Sequence, residues 1–199
     1  MADKLPRSFY EREDVVQIAR ELLGKRLCTH FDGVLTSAII TEVEAYCGRN
    51  DKACHANDGL RTNRTEVMYG RGGHAYVYLC YGIHHLFNVV TNKKHRADAI
   101  LVRGVSPEQG IETMLQRRSM HEIQKRMTSG PGTLSQALGI RTKHTGCDLM
   151  GNEIWIEEQK TVPDNLIVES RRIGVDYAGD HALRLWRFYI KESKWVSKP

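Results

Sequence analysis

Residues 26–46 read RLCTHFDGVLTSAIITEVEAY. Two strand-like runs, RLCTHF and VLTSAIITEVEAY, flank Asp32-Gly33, and Asp-Gly between such runs is a strong signal for a β-hairpin. The second arm begins apolar and ends in Glu42, Glu44 and Tyr46. Alternate residues of a strand share a face, so these three side chains project together. Two readings fit such a face. One is the solvated side of an antiparallel sheet, which is the commoner arrangement. The other is the floor of a polar pocket.

Working outward, Val15, Ile18, Ala19 and Leu22 have the one-face spacing of a helix over 13–23, with Gly24 as its stop. Residues 47–73 are rich in turn formers and predict a long loop; a loop of that length in a compact domain is commonly functional. HAYVYLC and IHHLFNVVT predict a second hairpin with Tyr81-Gly82 near its tip, and AILVRGV (99–105) a fifth strand. Ser106-Pro107-Glu108-Gln109 has the pattern of an N-cap, a first-turn proline and a capping-box glutamine, which predicts a helix to about Met120. A short helix follows at Thr133–Leu138, ending at Gly139. IWIE (154–157), NLIVES (165–170) and LWRFYIK (185–191) read as short strands. Hairpins with a few inserted helices predict an α+β fold. The expectation is a single compact domain over residues 1–199, built on a strongly curved, open-barrel-like antiparallel sheet with peripheral helices.

Composition narrows the class. A chain of 199 residues has room for a substantial core. No apolar run approaches the roughly 20 residues that span a bilayer, and the N-terminus MADKLPRSFYERED lacks a secretory pattern. Five scattered cysteines form no CxxC pair, which favours reduced thiols, a cytoplasmic setting (nucleoid-associated in a bacterium) and no structural zinc. The net charge of +5 is uneven: residues 91–145 hold ten Lys/Arg against four Asp/Glu, a balance of +6 that leaves −1 for the rest. Such a block suits a polyanion such as nucleic acid, or equally a solvated basic surface.

Several residues stand out chemically. Tyr81, at a hairpin tip, is either folded back on its own hairpin or presented as a wedge of the kind that enters base steps. Asn88 interrupts the apolar LFNVV, and Arg103 interrupts AILVRGV. A guanidinium on an inner strand needs an anion or water network, and Glu42 and Glu44 are the nearest logical carboxylates. His55 alone carries no information. Together these parts describe a pocket in which Glu44 deprotonates a water, Arg103 helps hold it, Tyr46 and Tyr78 offer flat faces, and Asn88 guards one edge. That suits hydrolysis of a bond to an aromatic heterocycle. No GxGxxG follows a strand, GRGG (70–73) lacks the Lys-Ser/Thr of a phosphate loop, and no GxSxG elbow occurs. His84 and His85 are adjacent and point to opposite faces of a strand, which argues against a metal site.

TEVEAY, the histidine in KACH, TNRTEVMYG, GGHAYVYLCYGIHHLFNVVT, ILVRGVSPEQGIETM, SGPGTLSQALGI and RRIGVDYAGDHALRLWRFY resemble the alkyladenine (3-methyladenine) DNA glycosylase family, in order and from about residue 5 to the C-terminus. The resemblance implies a general-base role for Glu44. It implies aromatic walls for a flipped base at Tyr46, His55 and Tyr78, with the His55 amide at the base edge. Tyr81 would fill the gap left in the duplex, and Asn88 would discourage normal guanine. Arg103 and the Ile173 carbonyl would lie near the nucleophilic water, and Arg64 on the DNA-facing loop. The chain departs from the family pattern at Asn63, where proline is expected. The implied partner is double-stranded DNA with damaged purines, bound by a monomer without metal or organic cofactor. The rival from another class is a non-catalytic nucleic-acid-binding module of similar fold, which would leave Glu44 and Arg103 without a role.

Overall fold

The computed structural model describes residues 3–198. Its eight strands are β1 (Arg26–Phe31), β2 (Val34–Tyr46), β3 (Ala75–Cys80), β4 (His84–Thr91), β5 (Asp98–Gln109), β6 (Ile154–Glu157), β7 (Ile167–Ser170) and β8 (Arg187–Ile190). All pair antiparallel, in the order β3-β4-β5-β2-β1-β6, and the sheet does not close. Strand β5 follows one edge of β2 over residues 37–46. The other edge is divided between β1, opposite 34–39, and β8, opposite 42–44, with β7 beyond β8. The long β2 is therefore shared by two wings of the sheet.

The helices are α1 (Arg7–Tyr10), α2 (Val15–Leu22), α3 (Ile111–Arg117) and α4 (Pro131–Leu138). The Asp14 carboxylate accepts from the amides of Val16 and Gln17 and so caps α2. Its buried stripe of Val15, Ile18, Ala19 and Leu22 joins the main core with Ala38, Ile40, Val43 and Ala45 of β2. Leu134, Ala137 and Leu138 of α4 enter the same core.

The turn from apolar to acidic along β2 has a geometric cause. Pairing with β5 runs Ile40↔Val105, Glu42↔Gly104, Val43↔Val102. Thr41 on β2 and Arg103 on β5 are each left out of the ladder, one bulge on each strand. A bulge shifts the side-chain phase and re-aims its neighbours. Before the bulge Ala38 and Ile40 face the core; after it Val43 and Ala45 do, which puts Glu42, Glu44 and Tyr46 on the opposite face. The C-terminal segment crosses this point, where the Thr41 hydroxyl donates to the Trp195 carbonyl at 2.8 Å.

The helix expected from Ser106 to Met120 is shorter and later. Ser106–Gln109 extend β5, with Ser106 opposite Ile39 and Pro107 opposite Ala38. Pairing with a long neighbouring strand outweighs the local capping pattern, and a third register shift at Ser37/Ala38 accommodates the proline. The chain turns at Gly110 (φ 72°) and α3 then runs only to Arg117. The segment 47–73 is mostly loop with two short 3-10 turns, and its own Ala53, Cys54, Ala56, Met68 and Tyr69 are buried.

A Cβ at Gly104 would stand 2.4 Å from the Trp195 carbonyl oxygen, a backbone atom that cannot swing aside. Gly104→Ala is expected to lower the unfolding free energy by about 1–3 kcal/mol through overpacking. Urea denaturation checks this, and an unchanged midpoint would mean that the C-terminal segment does not pack there.

Candidate active site

Four strands turn one face toward a cavity of about 260 Å3. Tyr46 comes from β2, Tyr76, Tyr78 and Cys80 from β3, Leu86 and Asn88 from β4, and Ala99, Leu101 and Arg103 from β5. His55 and Met68 from the long loop, Tyr81 from the hairpin turn and Ile173–Val175 complete the wall. The lining is mainly aromatic and apolar with a few convergent polar groups, the usual character of a ligand pocket.

Glu44 lies behind this cavity with 0% of its surface exposed. Its Oε1 accepts the Ile173 amide at 2.7 Å. Its Oε2 accepts the Tyr46 hydroxyl at 2.7 Å and Arg103 Nη1 at 3.3 Å. Burial, reinforced by the adjacent Glu44, pushes the Tyr46 phenol well above its usual range, so it stays a donor. Burial alone would lower the Arg103 guanidinium, but Glu44 and Glu42 outweigh it and hold Arg103 above its ordinary value. A buried carboxylate fixed by three donors beside an aromatic cavity can order a water and take its proton.

The aromatic wall is itself bonded. Arg64 Nη2 donates to His55 Nε2 at 3.3 Å, and a guanidinium can only donate. The neutral ring therefore carries its proton on Nδ1, which donates to the Tyr76 hydroxyl at 2.9 Å. Burial, helped by the Arg64 cation, pulls His55 down from 6.5 to about 4. The His55 and Tyr78 rings meet edge to face, 4.8 Å apart at 81°. Asn88 is buried, and its Nδ2 donates to the carbonyls of Tyr76 and Leu86, both at 3.1 Å. Two carbonyl neighbours fix the amide's orientation and leave Oδ1 for the cavity.

Tyr81 is 91% exposed at the tip between β3 and β4. Tyr81 and Gly82 both have positive φ, 51° and 72°, and the Ile83 amide closes the turn on the Cys80 carbonyl at 3.2 Å. That left-handed pair matches a hairpin turn of the primed type. Leu79 and Ile83 flank it as further exposed apolar residues.

The cavity thus brings together Tyr46, His55, Tyr78, Tyr81, Asn88, Arg103 and Ile173, with Glu44 directly behind. Two further residues have defined contacts. Ile173 meets Glu44 through its amide N–H. Arg64 lies over the Tyr78 ring, 4.6 Å from its centroid, and donates to the Tyr76 hydroxyl at 3.3 Å, so its guanidinium belongs to the aromatic wall. The turn around Asn63 is closed without proline: the Thr62 amide donates to Thr65 Oγ1 at 2.8 Å and the Thr65 amide to the Thr62 carbonyl at 3.0 Å.

Sequence reasoning missed Arg172 and Asp51, which form a bidentate ion pair with no exposed side-chain surface, one contact at 2.8 Å. Arg172 also donates to the Ala45 carbonyl at 2.9 Å and lies 4.8 Å from the Tyr46 ring centroid. It backs Tyr46 and anchors the chain just before Ile173. The one available signal was adjacency to Ile173 in RRIG.

Across the β3–β4 hairpin lies a larger cleft of about 530 Å3, lined by His84, His85, Arg117, Arg141, Lys143 and His144, with Asp32 the one carboxylate among the described lining residues. The basic block of 91–145 is therefore divided. Arg103 is buried with two glutamates, Lys93 pairs with Glu13, and Arg117, Arg141 and Lys143 face the cleft.

The profile of the methylpurine-DNA glycosylase (MPG) family matches residues 8–194. A Clostridium acetobutylicum protein named "Putative 3-methyladenine DNA glycosylase" is 46% identical over 98% of this chain and 97% of its own length. Proteins of the same name from Legionella pneumophila (46% identical, 98% of each chain) and Chlamydia felis (44%, 96% of this chain and 100% of its own) are similar throughout. The chain belongs to the methylpurine-DNA glycosylase family.

Two predictions arise from this geometry. Asp51→Ala leaves Arg172 buried and uncompensated, and is expected to cost about 3–5 kcal/mol of stability, read by urea denaturation. A loss no larger than that of an ordinary surface substitution would contradict the pairing. For His55 the folded-state value lies below the unfolded one, so between pH 6.5 and about 4 the unfolded chain binds a proton that the folded chain does not. This contribution destabilises the fold as pH falls through that window. His55→Gln should flatten the fall in stability there, and an identical pH dependence in both proteins would refute the half-buried neutral ring.

Proposed function

We propose that this chain is a DNA glycosylase that rotates an alkylated or deaminated purine out of duplex DNA and hydrolyses its N-glycosidic bond, leaving an abasic site in an uncut strand. Its substrates are 3-methyladenine, 7-methylguanine, hypoxanthine and ethenoadenine. The observation that carries the reading is the buried Glu44, fixed by Tyr46, Ile173 and Arg103 at the back of an aromatic cavity beside an exposed hairpin-tip tyrosine.

The roles follow from chemistry. Purines methylated at N3 or N7 are cationic and leave readily, and tyrosine faces attract such a base. For these lesions the protein has to flip the nucleotide, hold it and deliver water. Flipping costs a few kcal/mol, less at a damaged pair, which itself gives selectivity. Tyr81 stabilises the flipped state by occupying the vacated stack. Tyr46, His55 and Tyr78 clasp the base, and Asn88 narrows the edge where guanine carries its 2-amino group. Glu44 takes the proton of the attacking water. Neutral lesions also need protonation on the base, so for them the rate should follow a bell-shaped pH profile. No lysine is among the described lining residues, which supports water rather than a lysine amine as nucleophile. The cleft of Arg117, Arg141 and Lys143 carries the phosphate backbone on the far side of the hairpin from the base cavity.

Glu44→Gln preserves shape and removes the base. It should lower single-turnover base release by at least about 100-fold, the ordinary scale of a general base, while binding to abasic-site DNA stays close to wild type. Wild-type rates in the variant would dismiss Glu44 as the base. Separately, affinity for undamaged duplex should fall steeply with salt, and Arg141→Glu combined with Lys143→Glu should reduce the log–log slope by roughly two. An unaltered slope would place the backbone elsewhere.

A further inference from the structure

The face that carries Glu44 also carries Glu42, a second carboxylate with 0% exposure that the mechanism above leaves without work. Glu42 is tightly engaged. Its Oε1 accepts Arg187 Nε at 2.7 Å, the Ser197 hydroxyl at 2.8 Å and Arg103 Nε at 3.2 Å, and its Oε2 accepts the Ser197 amide at 2.6 Å. Arg187 Nη1 is held in turn by the Ser170 hydroxyl at 3.1 Å, and Arg187 also donates to the Lys198 carbonyl. The C-terminal segment and two strands thus converge on one carboxylate.

Arg103 stands between the two glutamates. Its Nε reaches Glu42 at 3.2 Å and its Nη1 reaches Glu44 at 3.3 Å, so neither contact is short. A general base in full contact with a guanidinium, in addition to a phenol and an amide, would be too well satisfied to accept a proton readily. We infer that Glu42 is a positioning residue that holds Arg103 in a shared geometry, set from behind by Arg187 and Ser197, so that Arg103 orients Glu44 without neutralising it. This rests on the reading of Glu44 as the base.

Among the described residues, the charges facing Glu44 come from several elements. Strand β2 supplies Glu42 and Tyr46, and β5 supplies Arg103. Arg187 on β8 acts through Glu42, and β3 brings Tyr78 near. Arg172, paired with Asp51, stands before Ile173. Glu42, Glu44, Arg103 and Arg187 form a buried set of zero net charge. Removing one carboxylate leaves a surplus positive charge, and a carboxylate facing surplus positive charge gives up its proton at lower pH. Removing one guanidinium does the reverse.

The test is the pH dependence of single-turnover hypoxanthine release from a single-lesion duplex. Glu42→Gln should move the acidic limb to lower pH by about half a unit or more and reduce the plateau rate, as a weaker base requires. Arg187→Gln should move the same limb to higher pH. Ser197→Ala, which deletes one hydroxyl donor from a half-buried tail without burying a charge, should move it the way Arg187→Gln does, by less. Opposite displacements support the inference. Folded variants that lose rate with the limb fixed, or that all move in one direction, overturn it and leave Glu42 as scaffold. A wild-type profile without an acidic limb would instead overturn the role of Glu44, so the two failures are distinguishable. Ser197→Ala also keeps the test decisive should either buried-charge variant fail to fold.

Discussion

Glu42 and Glu44 are both removed from water on one strand, and an ion left alone there would cost several kcal/mol. Their partners come from far along the chain: Arg103 on β5, Arg187 on β8, Ser197 near the C-terminus and the Ile173 amide in the last loop. Each can reach the glutamates only if β2 is shared by two wings of the sheet and the bulges at Thr41 and Arg103 re-aim the side chains. The ion cluster is therefore a statement about topology as well as chemistry. It ties the two wings to the C-terminal segment at the point where the site is built.

The same economy governs the β3–β4 hairpin. One side of it walls the aromatic cavity through Tyr78, Leu86 and Asn88, and the other side borders the basic cleft through His84 and His85. Its tip, held by two consecutive left-handed residues, lifts Tyr81 between them. A duplex reaching both cavities would have to be parted at that tip. The larger cleft is the more polar and the smaller one the more aromatic, which fits phosphate on one side and a base on the other.

Much of this was legible in the sequence, for physical reasons. The β1–β2 and β3–β4 hairpins were marked by Asp32-Gly33 and Tyr81-Gly82, because the left-handed turn conformation restricts the residues that can make it. Period-two alternation placed Glu42, Glu44 and Tyr46 on one face, and the burial of a lone arginine pointed to the two glutamates as its partners. What could not be read was set by long-range pairing. Ser106-Pro107 carries a sound helix-start pattern, yet a strand forms because β2 offers partners to it. The pairing of Asp51 with Arg172 joins residues 121 positions apart, and its one local hint was the adjacency of Arg172 to Ile173. The placement of Arg64 on the aromatic wall depends on His55 and Tyr76 arriving from separate segments. The resemblance to a glycosylase family supplied roles that spacing alone could not.

Working as proposed, this site delivers water to the sugar carbon of a flipped purine nucleotide. The decisive measurement runs the reaction on a single-lesion duplex with and without borohydride and weighs the products. Attack by water gives free base, an intact strand carrying an abasic site, and no protein bound to DNA. A borohydride-trapped protein–DNA adduct, or a cut strand, would mean that an amine of the protein attacks the sugar, and would contradict it.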